Sequence, residues 1–229
     1  MSLSQLIRWS GLAALVGYAL YTVVAFVLFF SIPENVALSV AATSTFWFVT
    51  HLLWIIALLL GLLGLLGLYA RQPEQVGVLG LIGVVMAFFG FALYFAWEWS
   101  ETFIWPVLGR ATPNLVDHPD PNLLQTLNAS QTTHWLLIGA GLTLFGVASL
   151  RAGALPRGAA VLLIVGGVAT LVGNGVSVAP EDSILGLLVT LVGMLVLPGL
   201  AWMGYAVWSR PSAASTTPLT ASGPSLAHR

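Results

Sequence analysis

Six long apolar segments constrain this chain more than any other feature of its sequence. Each has the roughly 20 residues that an α-helix needs to cross a hydrocarbon core of about 30 Å. None shows the sustained alternation of apolar and polar residues expected of a membrane-spanning β-strand. We therefore predict an all-α, polytopic membrane bundle of six transmembrane helices. The predicted spans are Trp9–Phe30, Thr45–Ala70, Val76–Glu98, Gln131–Leu150, Gly158–Val178 and Ser183–Trp208.

Composition supports a membrane domain and excludes several classes of protein. Of the 229 residues, 58% are hydrophobic and only 7% are charged, whereas a soluble domain carries about 25% charged residues. The chain has no cysteine, which excludes disulfides, thiolate metal sites, iron–sulfur clusters and c-type haem. It also has no lysine, which excludes cofactors held as a Schiff base. A net charge of −1 offers no basic surface to nucleic acid.

The arginines predict how the chain is oriented in the membrane. With six spans, Arg110 alone falls on one side, and the other side carries Arg8, Arg71, Arg151, Arg157, Arg210 and Arg229. The positive-inside rule then places both termini in the cytoplasm. We expect a multi-pass protein of a bacterial cytoplasmic (inner) membrane, with residues 1–210 as its transmembrane domain. Residues 211–229, rich in Ser, Thr, Ala and Pro, are predicted to be a disordered cytoplasmic tail.

The outer loops are longer than the inner ones. The longest, Thr102–Ser130, contains four prolines and could cap the outer mouth of the bundle. Within it, Asn122–Leu127 is predicted to form a short surface helix before the fourth span.

Some of the sequence repeats after 83 residues. His51 and His134 are separated by that interval, and so are Glu98 and Glu181. Gly83 and Gly90 likewise repeat at positions 166 and 173. The pattern suggests a parallel duplication of helical hairpins, in which spans 2–3 correspond to spans 4–5, with a site at the interface between the repeats.

Polar residues form a layer near the predicted outer face. Glu98 and Glu101 are three residues apart and would share one face if the third helix continues that far. His51 lies 20 residues from Arg71, or roughly 30 Å along a helix, and His134 lies at a similar level on the fourth span. Ionisable groups at this depth are energetically unfavourable unless they are paired or face a water-filled cavity. Their presence therefore indicates a functional site.

The layer is compatible with several chemistries. A site of two histidines and a carboxylate with an open position suits zinc or non-haem iron. We predict His51, His134, Glu98 and Glu101 as metal ligands, with Glu98 also a catalytic general base. Alternatively, His51 and His134 could clamp a b-type haem. In the simplest interpretation, the same groups only contact headgroups and water within an aromatic belt of tryptophans. That belt consists of Trp47, Trp54, Trp97, Trp99, Trp105 and Trp135.

Three stretches resemble a group of bacterial six-span integral membrane proteins of unknown function. They are Gly67–Gln72, the Trp-Glu-x-x-Glu-x-Phe-Ile-x-Pro stretch at 97–106, and Leu150–Arg157. The resemblance covers most of residues 50–160 and implies the six-span topology but no activity. Neither His51 nor His134 can be attached to that group.

Three functions remain open from the sequence. The first is a metal-binding membrane protein, or a membrane-embedded enzyme that acts on a lipidic or apolar substrate. The second is a non-catalytic accessory subunit whose glycine and tryptophan surfaces pack against other membrane subunits. The third is a proton-coupled carrier in which Glu98 titrates. In each case the lipid bilayer is the expected partner.

Overall fold

The computed structural model describes residues 2–31, 36–175 and 183–209, and within these ranges the chain is almost entirely helical. The helices are α1 (Leu3–Ser31), α2 (Leu38–Ala42), α3 (Thr45–Ala70), α4 (Pro73–Phe103), α5 (Trp105–Ala111), α6 (Pro113–Asp117), α7 (Pro121–Ala152), α8 (Arg157–Gly175), α9 (Ile184–Gly193) and α10 (Val196–Ser209). Six helical segments are long and apolar enough to cross a membrane. The predicted all-α membrane bundle is therefore confirmed, and the predicted tail at 211–229 lies outside the described residues.

The long helices form a ring in chain order. α1 packs on α3, α3 on α4, α4 on α7, α7 on α8, α8 on α10, and α10 closes the ring against α1. In a bilayer the hydrophobic effect contributes little to the association of helices. Contacts between helices therefore depend on close approach at small residues. Gly61, Gly64 and Gly67 of α3 lie against α1 in this way, and Gly83 and Gly90 of α4 lie against α7.

Three spans are longer than the sequence predicted, and the first of them is α1, which begins at Leu3 instead of Trp9. α4 continues past Glu98 to Phe103, and α7 begins at Pro121 instead of Gln131. The surface helix predicted at Asn122–Leu127 is thus the first part of a continuous helix. Asp120 explains where that helix starts, because its carboxylate accepts hydrogen bonds from the backbone N–H groups of Asn122 and Leu123. This is an N-cap, and Pro121 follows at the first helical position.

The loops after α1 and α4 form a small cap of short helices. α2 contacts α5 and α6, and α5 also contacts the end of α4. Asp117, the last residue of α6, accepts hydrogen bonds from the backbone N–H of Ser39 at 2.8 Å and from its hydroxyl at 2.7 Å. The cap therefore joins the loop after α1 to the loop after α4, a contact that the sequence did not predict.

The sixth span is broken in its middle. α9 ends at Gly193, α10 begins at Val196, and Met194 and Leu195 lie between them. Pro198 accounts for the break, since its ring would clash with the carbonyl of Met194 in a continuous helix and it has no N–H to donate.

The structure does not confirm the duplication of hairpins. Glu181, the proposed counterpart of Glu98, lies outside the described residues. One similarity is present: Gly83 and Gly90 approach the next helix, α7, while Gly166 approaches Val196 of α10 and Gly173 approaches Val189 of α9. This similarity alone does not establish a repeat, which stays a prediction.

Candidate metal site

His51 is held in a fixed orientation near the outer end of α3. The helix begins at Ser44, whose side chain accepts a hydrogen bond from the N–H of Trp47. One turn later, Nδ1 of His51 lies 2.8 Å from the carbonyl oxygen of Trp47, and the imidazole stacks on the indole of Trp47 with ring centroids 4.1 Å apart. A carbonyl oxygen can only accept, so Nδ1 carries the hydrogen of this bond and Nε2 is the free ligand atom of the neutral ring.

Glu101 faces that free nitrogen. Its Oε2 atom lies 2.8 Å from Nε2 of His51, and its Oε1 atom accepts a 2.7 Å hydrogen bond from the indole N–H of Trp97. The backbone carbonyl of Glu101 accepts a further bond from the indole N–H of Trp47. The two tryptophans thus fix Glu101 against His51 and join the outer ends of α3 and α4.

Glu98 is the more deeply buried of the two glutamates in the cluster. It is only 2% exposed, and its Oε2 atom has no hydrogen-bond partner. Tyr94, one turn earlier on α4, interacts with the Glu98 side chain. An unpaired carboxylate oxygen in such a place is costly, so it favours a bound cation or proton in the same cavity.

One ligand atom from each of His51, Glu98 and Glu101 lies within 4.8 Å of the other two. The three side chains can therefore reach a common ion. The expectation that both glutamates share a face is confirmed, because α4 stays helical through Phe103. His51 is also buried, at 1% exposure, so the interpretation that places it among headgroups does not describe it.

The structure does not bring His134 into this group. It is buried on α7 with 1% exposure, and its ring lies among aromatic side chains, 4.9 Å from Tyr94, 5.1 Å from Trp135 and 6.3 Å from Trp97 between centroids. Neither of its ring nitrogens has a partner that meets hydrogen-bond geometry, although the backbone of Ser130, one turn earlier, is close enough to interact with the ring. His134 thus points inward, as predicted, but the metal-capable group found among the described residues consists of the other three.

Trp47 and Trp97 are site residues that the sequence interpretation assigned to an aromatic belt. Each precedes its partner by four residues, as Trp47 and His51 or Trp97 and Glu101. On a helix that spacing places the indole beside the ligand, so the spacing was the signal that could have revealed their role. Not all tryptophans act this way: Trp99 is 49% exposed and fits the belt.

Comparisons with known proteins do not assign this site to a family. No protein-family model matches the chain, and no match was found among curated proteins or solved structures.

Proposed function

We propose that this chain is a metal-binding membrane protein whose His51, Glu98 and Glu101 hold one divalent ion, zinc or iron. The observation that carries the proposal is the contact between Nε2 of His51 and Oε2 of Glu101. Because Trp47 occupies Nδ1, the neutral imidazole presents a lone pair to a carboxylate oxygen. Two acceptors at this distance need a cation or a proton between them.

A neutral histidine with two ionised glutamates carries a formal charge of −2. This charge is balanced either by two protons, one on Glu98 and one between Glu101 and His51, or by a single divalent ion that contacts all three side chains. A divalent cation neutralises both carboxylates and uses the unpaired Oε2 of Glu98. The nitrogen and oxygen ligands suit zinc or ferrous iron, and there is no thiolate in the chain to select a softer metal.

Three protein ligands leave a position open for water or substrate, as in catalytic sites. We therefore extend the proposal to a membrane-embedded enzyme that acts on a lipidic or apolar substrate. Glu98 would combine two roles, since one carboxylate oxygen can bind the ion while the other accepts a proton from bound water. Trp97 and Trp47 would hold Glu101 and His51 in ligating geometry, the role that outer hydrogen bonds have in other metal sites.

A haem is less well supported by these contacts. Both nitrogens of His51 already face protein oxygens, so an axial bond to iron would have to displace Glu101. In addition, the aromatic contacts pass from His51 through Trp54 and Tyr94 before they reach His134. These rings would have to move before two imidazoles could bind opposite faces of one porphyrin.

The arginine distribution supports a location in the bacterial cytoplasmic membrane with both termini inside. The metal site would then lie near the extracytoplasmic face, beneath the cap formed by α2, α5 and α6.

Metal analysis of the purified full chain tests the proposal. The protein, loaded with Zn²⁺ or Fe²⁺ and freed of excess metal, should retain one ion per chain by mass spectrometry of the elements. His51→Ala and Glu98→Gln should lose it. Glu74→Gln and His118→Ala, at exposed positions, are the matched controls and should retain it. Equal retention by Glu98→Gln and Glu74→Gln, or no retention by the unmodified chain, would contradict the proposal.

A further inference from the structure

A cavity of about 590 Å³ lies in the bundle next to the metal site. Two of its lining residues also contact the site: Trp54 lies 6.2 Å from His51 between ring centroids, and Tyr94 interacts with Glu98. Both are one turn further from the outer helix ends than the ligands, so the cavity begins directly beneath them. Its volume falls in the range of about 300–1,000 Å³ that is typical of small-molecule sites.

The described residues that line the cavity are apolar or uncharged. Ala25, Leu28, Phe91, Ile138 and Val189 represent its apolar walls. Its polar lining comes from hydroxyl, amide and indole groups, and within residues 2–31, 36–175 and 183–209 no lining residue is Arg, Asp, Glu or His. These walls offer a charged ligand no compensating charge, whereas they can pack along the whole length of an apolar chain that carries an uncharged oxygen-bearing group.

The two halves of the sixth span pack differently. α10 packs along α1, whereas among the described residues α9 has no comparable contact with α1 and packs on α8 instead. The cavity reaches α1 at Ala25 and Leu28, and it reaches α9 at Gly186 and Val189. It therefore extends between α1 and α9, where Thr190 lines it and remains exposed. Because α9 belongs to the apolar sixth span, we expect lipid tails to surround this part of the bundle.

We propose that this cavity binds the chain of one neutral long-chain lipid, which enters from the bilayer between α1 and α9. Its uncharged hydroxyl or ester group lies at Tyr94, beneath the open side of the metal site. The inference rests on the proposed function, since it names the class of substrate for that site. It also makes a separate claim, because lipid binding in the cavity needs no metal.

Photolabelling of the full chain in phospholipid vesicles tests this inference. The probe is a long-chain fatty alcohol with a diazirine in its chain, and labelled peptides are mapped by mass spectrometry. Labels are expected in α1, α8 and α9 at residues that line the cavity. In the metal-free chain, excess unlabelled fatty alcohol should compete, whereas a fatty acid of the same length should compete far less because the described cavity walls offer its carboxylate no positive charge.

A larger side chain in the cavity should block the probe. Ala169→Phe, on the cavity wall, is expected to weaken binding about tenfold, which corresponds to about 1.4 kcal/mol. Ala19→Phe, on an exposed face of α1, is the matched control and should label normally. Should Ala169→Phe not fold, Thr190→Phe places the same ring at the exposed edge of the cavity and should have the same effect.

The two proposals fail in different ways. Equal labelling of the cavity variants and Ala19→Phe, or labels spread evenly over lipid-facing positions, would overturn the lipid site even if metal is bound. Glu98→Gln should lose the ion and keep the label in the cavity. Loss of both in a folded Glu98→Gln protein would contradict the claim that lipid binding is independent of metal.

Discussion

His51 and His134 are both buried, at 1% exposure each, yet their surroundings differ. The nitrogens of His51 face a backbone carbonyl and a carboxylate, whereas those of His134 have no partner that meets hydrogen-bond geometry. One histidine is therefore placed to bind a cation, and the other lies within an aromatic cluster around Tyr94 and Trp135.

The variant His134→Phe separates these two environments. We expect it to retain the metal ion, because His134 is not part of the ligand group. We also expect its thermal midpoint to equal or exceed that of the unmodified chain, since an unpaired buried polar group costs about 1–3 kcal/mol. Metal analysis and thermal unfolding in detergent measure both. Loss of the ion in a folded His134→Phe protein would restore His134 as a ligand.

The sequence could predict part of this site but not all of it. Helix rise placed His51, Glu98 and His134 at one depth, and their burial confirms that they point inward. Depth along a helix axis says nothing about rotation around it, so the sequence could not show that Glu101 would face His51 and that His134 would face Tyr94. The four-residue spacing of Trp47 from His51 and of Trp97 from Glu101 indicates that each tryptophan lies beside its partner on the same helix. The contact between His51 and Glu101, however, depends on the packing of α3 against α4.

Among the helical elements, the short helices of the cap are joined by Asp117 in a way that depends on pH. The N–H and hydroxyl of Ser39 donate to its carboxylate, and these bonds hold the pKa of Asp117 below its ordinary value of 3.8. The pKa of Asp117 is lower in the folded protein than in the unfolded chain. The contact with Ser39 therefore stabilises the cap fully at pH values above the pKa that Asp117 has in the unfolded chain. The stabilisation is lost as the pH falls through the folded pKa.

Hydrogen exchange of peptides from α2 and α6 should show this dependence. Exchange at the N–H of Ser39, corrected for the intrinsic effect of pH, is expected to stay slow from neutral pH to about 5 and to accelerate below about 4, near the pKa of a free aspartate. In Asp117→Asn the corrected exchange should be faster at neutral pH and nearly independent of pH. An identical pH profile in both proteins would show that Asp117 does not hold the cap.

Element lengths show where sequence patterns reach their limit. The apolar segments predicted all six spans because a membrane core sets a minimum length. They could not predict that α4 and α7 extend beyond the apolar residues, since polar residues such as Glu101 and Asn122 are compatible with a helix outside the hydrocarbon. Pro198 signalled a break in the sixth span, but the separation of α9 from α1 depends on packing between distant helices.

For the molecule as a whole, the arginines predict which side of the membrane holds the site. Arg71, Arg151 and Arg157 follow or precede spans at one end of the bundle, and Arg110 lies at the other end with the cap. A reporter active only in the cytoplasm should be active when fused after residue 210 and inactive when inserted in the loop at Thr112. The reverse pattern would place both termini, and the arginines, on the outer side.

The central claim is that His51, Glu98 and Glu101 share one divalent ion, and X-ray absorption at the metal edge tests it most directly. For the purified, metal-loaded chain we predict a shell of nitrogen and oxygen ligands at about 2.0–2.2 Å, with scattering from a single imidazole and no sulfur. The same spectrum should be retained in His134→Phe. Two imidazoles on one iron with a Soret band would instead show a haem held by His51 and His134, and the absence of a bound ion after loading would contradict the account.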